Sequence, residues 1–588
     1  MRTGSDAFVL GSGRVLFFEF CPRLTCTASN MSRGRFDALL GRLGIDCTFL
    51  KGRIMENSFN LDRRTFVAGS AVAAATVGLG LAGCGGGSDA GSEGATGSTA
   101  TAAEGGTLTG ACAYTSTNVN PIGNSSALML AATWHVFEGL YDLDLHTYKT
   151  YNALAADKPV KVSETEYEVA LRDGAKFSDG TAVTAADVVN AFELNMADAT
   201  YGAFLSFIDA VAEKDETTVT FTLKYPFESL LEGRLSVVKV FPKSLTEDDL
   251  KTKPIGSGPW MYDSINGDDG GEIDFLPNAN YNGEHKATAD KMQWFIQLDE
   301  TARTTSLQEA TVQVMENVPD ANADQLSAAG ATVEYVQGFN QPFLMFNTLK
   351  APFDDYRVRQ AFFYAIDVDK LVSNQIAGHA SKVTGFLPKD HKNYHEAKTV
   401  YTYDTEKAKK LLEEAGVSDL SFKLLTNNNW VKGLAAQIKN DLEAAGIKCE
   451  IQEEKINWSA LAESDSVLDY DVMLTPGDPT CFGNDPDLLM SWWYGDNTWT
   501  RGRSCWAKAA DGKWKELQEL MQEAREEADE KAQQELWNQC FDIIAEYCPL
   551  YPLFHREVAT GYWTDKIAGF KPIATTGLVF IDASAAAN

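Results

Sequence analysis

Leu171-Arg172-Asp173-Gly174-Ala175-Lys176-Phe177-Ser178-Asp179-Gly180-Thr181, followed by Thr184-Ala185-Ala186-Asp187-Val188, is the stretch whose reading decides the fold. Asp173-Gly174 and Ser178-Asp179-Gly180 are turn formers on either side of the short Lys176-Phe177 segment. Thr184 or Ala185 then leads into a helix with Asp187 in its first turn, where a carboxylate complements the positive end of the helix dipole. Before this stretch, Tyr167, Val169 and Leu171 alternate with polar or small residues, and Val219, Phe221 and Leu223 do the same after it. A period of two predicts strands with one buried face.

Further along the chain the period changes to that of helices. Asp354 or Asp355 caps a helix whose Val358, Ala361, Phe362, Ala365 and Ile366 form one apolar stripe. Asp404 caps a second, with Ala408, Leu411, Leu412 and Ala415, closed by Gly416. A third carries Leu434, Ile438, Leu442 and Ala445 and is closed by Gly446. Strand-like segments at 422–425, 447–451 and 472–474 alternate with them, the order expected of crossover units on a mixed sheet. Residues 514–547 read as one or two amphipathic helices. Arg359 and Asp367, eight apart, are expected to form a structural ion pair on one helix.

The opening stretch resembles the signature block of family 5 extracellular solute-binding proteins, the dipeptide, oligopeptide and nickel receptors of ABC importers. Further matches follow in the family's order: Phe137-Glu138-Gly139-Leu140; Pro254-Ile255-Gly256-Ser257-Gly258-Pro259-Trp260; Asn278-Ala279-Asn280-Tyr281; Arg303 with Leu307-Gln308-Glu309-Ala310; Pro352-Phe353-Asp354 leading into Val358-Arg359-Gln360-Ala361 and Ala365-Ile366-Asp367; Tyr403-Asp404; Glu414-Ala415-Gly416; Pro549; Pro552-Leu553; and Gly569-Phe570. The resemblance implies an α/β, bilobal periplasmic-binding-protein-like fold of type II, with an extra subdomain in the first lobe and a hinged cleft. On this chain the main subdomain of lobe 1 would comprise residues 107–148, 254–337 and 557–588, the extra subdomain 149–253, and lobe 2 residues 338–556. Crossing strands would let the lobes open and shut as rigid bodies. The Gly256-Ser257-Gly258-Pro259 block is a tight turn, not a nucleophile elbow.

The beginning of the chain reads as an address. Arg63-Arg64-Thr65-Phe66 precedes an apolar run from Val67 to Leu81 that is too short and too rich in Ala and Gly for a stable membrane span. Leu81-Ala82-Gly83-Cys84 resembles a lipoprotein lipobox, and the arginine pair resembles a twin-arginine signal. The expectation is a signal peptide at 55–83, starting from Met55, with residues 1–54 a mis-annotated or removed extension. Cys84 would then be the lipidated residue, on a flexible Gly/Ser/Ala/Thr tether at 84–106. That places the protein on the outer face of the cytoplasmic membrane, in a periplasm or at the cell surface, held by its lipid anchor only. A formal net charge of −31 over 588 residues argues against nucleic acid or an anionic bilayer as partner. Of the ten cysteines, Cys481 and Cys505 are the favoured disulfide pair among the six after Cys84.

Ligands of such receptors lie between the lobes, so the site requires hydrogen-bonding groups and a charge for each ligand end. Asp478, in Pro476-Gly477-Asp478-Pro479 after a strand, is the first candidate. Its position resembles that of the aspartate which meets a peptide's α-amino group in peptide-binding members, with Asp485 or Asp487 the fallback. A carboxylate buried on closure is costly unless an ammonium joins it. Aromatic candidates are Tyr114, Phe339, Trp430, Trp458, Trp492 and Trp493, with polar neighbours Asn118, Asn340, Gln341, Asn428 and Asn429. A basic partner for a ligand carboxylate is open among Lys382, Lys432, Arg501 and Arg503. The function expected is capture of di- and oligopeptides by a monomer and delivery to ABC permease subunits, with no cofactor or bound metal. Alternatives are a receptor for nickel complexes or oligosaccharides, or a peptide sensor without transport. His391 and His395 are four apart but sit in a loop-like segment, which disfavours chelation. No His-Glu-x-x-His or Gly-x-Ser-x-Gly arrangement supports a hydrolase.

Overall fold

The computed structural model describes residues 101–426, 429–454 and 467–587, all within one compact unit, Gly94–Asn588. The start at Met55, the signal, Cys84 and most of the tether lie outside the described residues, as do Asn428 and Trp458. The chain is pinned from just before the first strand, where Ala103 N donates to Ala585 O and Gly105 N to Thr288 O. No helix among the described residues is long and apolar enough to cross a membrane.

The opening stretch folds as its residues dictate. Glu166–Ala170 and Thr218–Leu223 pair antiparallel, with alternate residues buried, in a four-stranded sheet whose edges are Val160–Ser163 and Ile208–Asp215. Helix Ala185–Ala197 starts at a capping box: Asp187 Oδ2 accepts from the backbone N–H of Thr184 (2.9 Å) and from its hydroxyl (2.7 Å).

Two larger sheets flank the candidate site. One runs in the order Thr332–Gln337, Phe554–Tyr562, Val314–Met315, Thr107–Cys112, Lys291–Ile296, Glu272–Pro277, Trp260–Ile265, and Ala380–Lys382 pairs with Phe554–Tyr562. The other runs Lys448–Glu453, Ser421–Thr426, Val472–Gly477, Gln341–Phe346, Leu550–Pro552. Its first three strands are parallel, and helix Asn429–Ala444 supplies the crossover between the two leading ones. The chain passes from the first sheet to the second at residues 338–340 and returns at residue 553. The crossings touch: Arg556 N donates to Asn340 O (2.6 Å) and Leu553 N to Pro342 O (2.9 Å). Adjacent crossings of this kind concentrate backbone rotation in a few residues, the geometry of a hinge.

The anticipated helices form at Tyr356–Ala365, Thr405–Glu414 and Asn429–Ala444. Asp355 and Asp404 cap the first two, and Gly416 and Gly446 take positive φ beyond the second and third (71° and 89°). Residues 514–547 resolve into two helices, Lys513–Glu526 and Glu530–Tyr547. Two expectations are corrected. Arg359 does not pair with Asp367: the helix stops at Ala365, Asp367 caps the next helix by accepting from Lys370 N, and the buried Arg359 donates to Tyr547 O (2.8 Å) and Phe353 O (2.7 Å). The six cysteines among the described residues are free thiols, so Cys481 and Cys505 are not bridged. Each faces a carbonyl of its own turn instead, Cys481 Sγ at 3.8 Å from Asp478 O and Cys505 Sγ at 3.6 Å from Arg503 O.

Candidate functional site

A cavity of about 910 Å³ opens between the two large sheets. One wall comes from residues 113–118, which follow the strand Thr107–Cys112, together with Ser126, Arg303 and Asn317. The other comes from Thr426 and Trp430, from residues 475–478 at the end of Val472–Gly477, and from Cys481, Phe482, Trp492, Trp493, Trp499 and Arg503. Strand ends make this wall because loops leaving a sheet edge carry side chains free of ladder pairing.

Asp478 lies on the lining at the start of the turn Pro479–Phe482. Its Oδ1 accepts from the backbone N–H of Thr480 (2.9 Å) and from the Thr480 hydroxyl (2.6 Å). Tyr148, from the far side, donates its phenol to Thr480 Oγ1 (3.2 Å), so a tyrosine–threonine relay fixes this oxygen. The other oxygen, Oδ2, is buried with no hydrogen-bond partner among the described residues. Burial pushes the carboxyl up to about 6, against the opposing effect of the Thr480 hydrogen bonds and, more weakly, of the nearby Thr575 hydroxyl, which stands outside hydrogen-bond geometry. Lining residues that carry a buried atom without a partner among the described residues are Ser126 (Oγ), Arg303 (Nε), Asn340 (Oδ1), Thr426 (Oγ1) and Trp493 (Nε1). Buried polar atoms are costly when unpaired, so the wall presents donors and acceptors ready for a polar ligand.

The remaining candidates divide. Tyr114, Asn118, Asn340, Trp430, Trp492 and Trp493 line the cavity with Asp478. Tyr114 is half-buried and its phenol is held well above its usual range, chiefly by desolvation and then by the charge of Glu316. Asn118 Oδ1 accepts from Asn120 N (3.1 Å), shaping the loop. Trp430 receives the Arg556 guanidinium over its ring at 4.6 Å. Phe339 and Gln341 stand behind the wall. Phe339 packs against Phe386, Trp493 and His555, and Gln341 is wholly buried in its strand. Asp485 and Asp487 are taken up elsewhere, by Arg234. Its guanidinium donates to Asp485 Oδ2 (2.6 Å) and Oδ1 (2.8 Å) and to Asp487 Oδ2 (2.8 Å), and Arg525 Nε reaches Asp487 Oδ1 (2.7 Å).

Of the basic candidates, Arg503 and Lys432 reach the lining. Lys432 pairs with Glu453 at 2.6 Å, whereas Arg503 is buried with its guanidinium 4.0 Å from the Trp499 ring. Burial lowers Arg503 to about 9, which leaves it charged at neutral pH. Lys382 pairs with Asp369 and Arg501 with Asp496, both away from the cavity. His391 Nε2 contacts Asn484 O (2.8 Å) and His395 Nε2 contacts Asp542 (3.1 Å), so the two rings serve separate turns. Phe482 and Trp499 were not singled out from sequence, because neither lies in a periodic segment. Arg303 was visible only as part of a scaffold block.

The chain belongs to the bacterial extracellular solute-binding proteins of family 5, whose model matches residues 149–501. Among curated relatives, the glutathione-binding protein GsiB of Escherichia coli (strain K12) is 25% identical over 483 residues, covering 79% of this chain and 92% of the relative. Among solved structures, the oligopeptide-binding protein AppA of Bacillus subtilis, in complex with a nonapeptide, is 22% identical at a TM-score of 0.72, covering 83% of this chain and 100% of that one. NikA of Staphylococcus aureus, in complex with Ni(L-His)2, is 17% identical at a TM-score of 0.69, covering 82% and 100%. The fold is therefore the bilobal α/β architecture of periplasmic binding proteins.

Proposed function

We propose that this protein captures peptides with a free amino terminus in the cavity between its two large sheets and hands them to ABC permease subunits. The observation that carries the reading is the buried Asp478 Oδ2, on the lining and without a partner among the described residues. A ligand ammonium would meet the charge that burial penalises, and the site would thereby favour amines over neutral solutes of similar size. Arg503 is the group we assign to a ligand carboxylate, since it is a buried cation on the same lining. Tyr114, Asn118, Asn340, Trp430 and Trp492 complete the proposed contacts. The role is binding, not catalysis, and the segments 107–148, 254–337 and 557–588, with the insertion 149–253, act as one lobe against 338–556. The same reading places the mature chain outside the cytoplasmic membrane, exported through the Arg63-Arg64 signal and tethered by a lipid on Cys84.

A thermal-shift screen of residues 85–588 against di- to pentapeptides, nickel with histidine, and oligosaccharides tests it. A ligand at a hundred times its dissociation constant adds about 2.7 kcal/mol of stability. The expected result is a response to peptides that is lost on amino-terminal acetylation and in Asp478→Asn. A response confined to sugars or nickel complexes overturns the reading.

A further inference from the structure

The wall beside Asp478 is aromatic and braced. Phe482 closes the turn that Asp478 opens, and its ring lies 5.1 Å from Trp492. Trp492 is 6.0 Å from Trp499. All three rings line the cavity. Behind them, Phe204 stacks on Trp492 at 5.8 Å with an interplanar angle of 10°, and Tyr201 meets Phe482 edge-on at 5.3 Å. Rings backed in this way cannot turn aside, so the surface they present is preformed and apolar, and a ligand spends little free energy organising it.

An α-ammonium and the side chain of the same residue share one carbon. A ligand anchored by its ammonium at Asp478 Oδ2 must therefore place its first side chain within a few ångströms of the anchor. Cys481 Sγ stands 3.8 Å from Asp478 O, Phe482 ends the same turn on the lining, and Trp492 packs against Phe482. We infer that the Phe482–Trp492 wall makes the receptor selective for a large apolar side chain on the residue that carries the free ammonium. This rests on the peptide reading given above. Burying a Leu or Phe side chain against such a wall raises affinity by about ten- to a hundredfold over glycine.

The test is titration calorimetry of residues 85–588 with the tripeptides X-Ala-Ala, where X is Gly, Ala, Leu, Phe, Glu or Lys. Affinity is expected to rise from Gly through Ala to Leu and Phe by at least tenfold, with Glu and Lys no better than Ala. In Phe482→Ala the ranking should flatten while the affinity for Gly-Ala-Ala stays within about threefold of wild type. Phe204→Leu, which loosens Trp492 from behind without altering the lining, serves as a second variant should Phe482→Ala unfold. Equal affinities across the series, or a preference for Glu or Lys, overturn the inference and leave the peptide reading standing when Asp478→Asn still abolishes binding. Loss of affinity for every peptide alike in both variants overturns it too, since that marks a structural role. Absence of binding by the whole series overturns the peptide reading, and the inference with it.

Discussion

Two acidic centres lie within ten residues of each other in sequence and are opposites in chemistry. Asp485 and Asp487 meet Arg234 and Arg525 in a closed ion cluster, whose Arg234 side chain is fully buried. Burial opposes ionisation of Asp485, but the charge and hydrogen bonds of Arg234 outweigh it and hold the carboxyl below its usual range. Asp478 is served on one oxygen only, and burial raises it. The difference teaches that burial does not mark a functional acid. What separates the two is how many of their hydrogen-bonding positions the protein fills by itself, and a carboxylate left half-filled on a cavity wall is open to a ligand.

The largest expected effect comes from breaking the closed centre. Arg234→Met strands two carboxylates with one remaining guanidinium and should lower unfolding stability by about 3–5 kcal/mol in urea denaturation. A loss below about 1 kcal/mol would show the cluster to be dispensable. Asp478→Asn should act in the opposite direction. At pH 7.5 it removes a carboxylate that is harder to ionise folded than unfolded, and the ligand-free protein gains up to about 3 kcal/mol. Its sign follows from proton counting. Between the unfolded value near 3.9 and the folded value of about 6, the native state holds more protons, so wild-type stability falls as pH rises. The gain in Asp478→Asn should accordingly disappear at pH 4, and melting curves of both proteins at pH 4, 6 and 7.5 would expose a reversed trend.

Ligand affinity sharpens the comparison further. An ammonium that binds the ionised Asp478 should bind about tenfold more weakly for each pH unit below about 6 and nearly independently of pH between 6.5 and 7, weakening again as the peptide's own amino group loses its proton at about pH 8, measured by calorimetry. A flat profile down to pH 5 would remove Asp478 from the site. The smallest effect is expected from Arg525→Gln, which leaves Asp487 its bond to Arg234. About 1–2 kcal/mol of stability should go, with peptide affinity unchanged.

Much of the fold was legible because its determinants are local. The alternation at Tyr167, Val169 and Leu171, the Thr184–Asp187 capping box and the glycines closing two helices each act within a few residues. The site was legible in part, for the opposite reason. Asp478 and Asp485 both stand just before a proline and start a turn or helix, and in sequence they are interchangeable. Arg234, which decides between them, lies 251 positions from Asp485. Phe339 and Gln341 carry the composition of a binding loop, yet the crossing into the second sheet draws both inward. Arg359 looked like an ion-pair partner of Asp367 because the helix break after Ala365 carries no Pro or Gly to announce it.

The interior position of the strand Phe554–Tyr562, between Thr332–Gln337 and Val314–Met315, has a consequence for the order of events in folding. The first described strand, Thr107–Cys112, is held through Val314–Met315 to a strand that leaves the ribosome some 450 residues later. Contact order this high delays closure of the sheet until Phe554–Tyr562 has been made, and a chain broken off before Phe554 lacks an inner strand. The cavity wall that follows Thr107–Cys112 thus gains its full support only once Phe554–Tyr562 has joined the sheet.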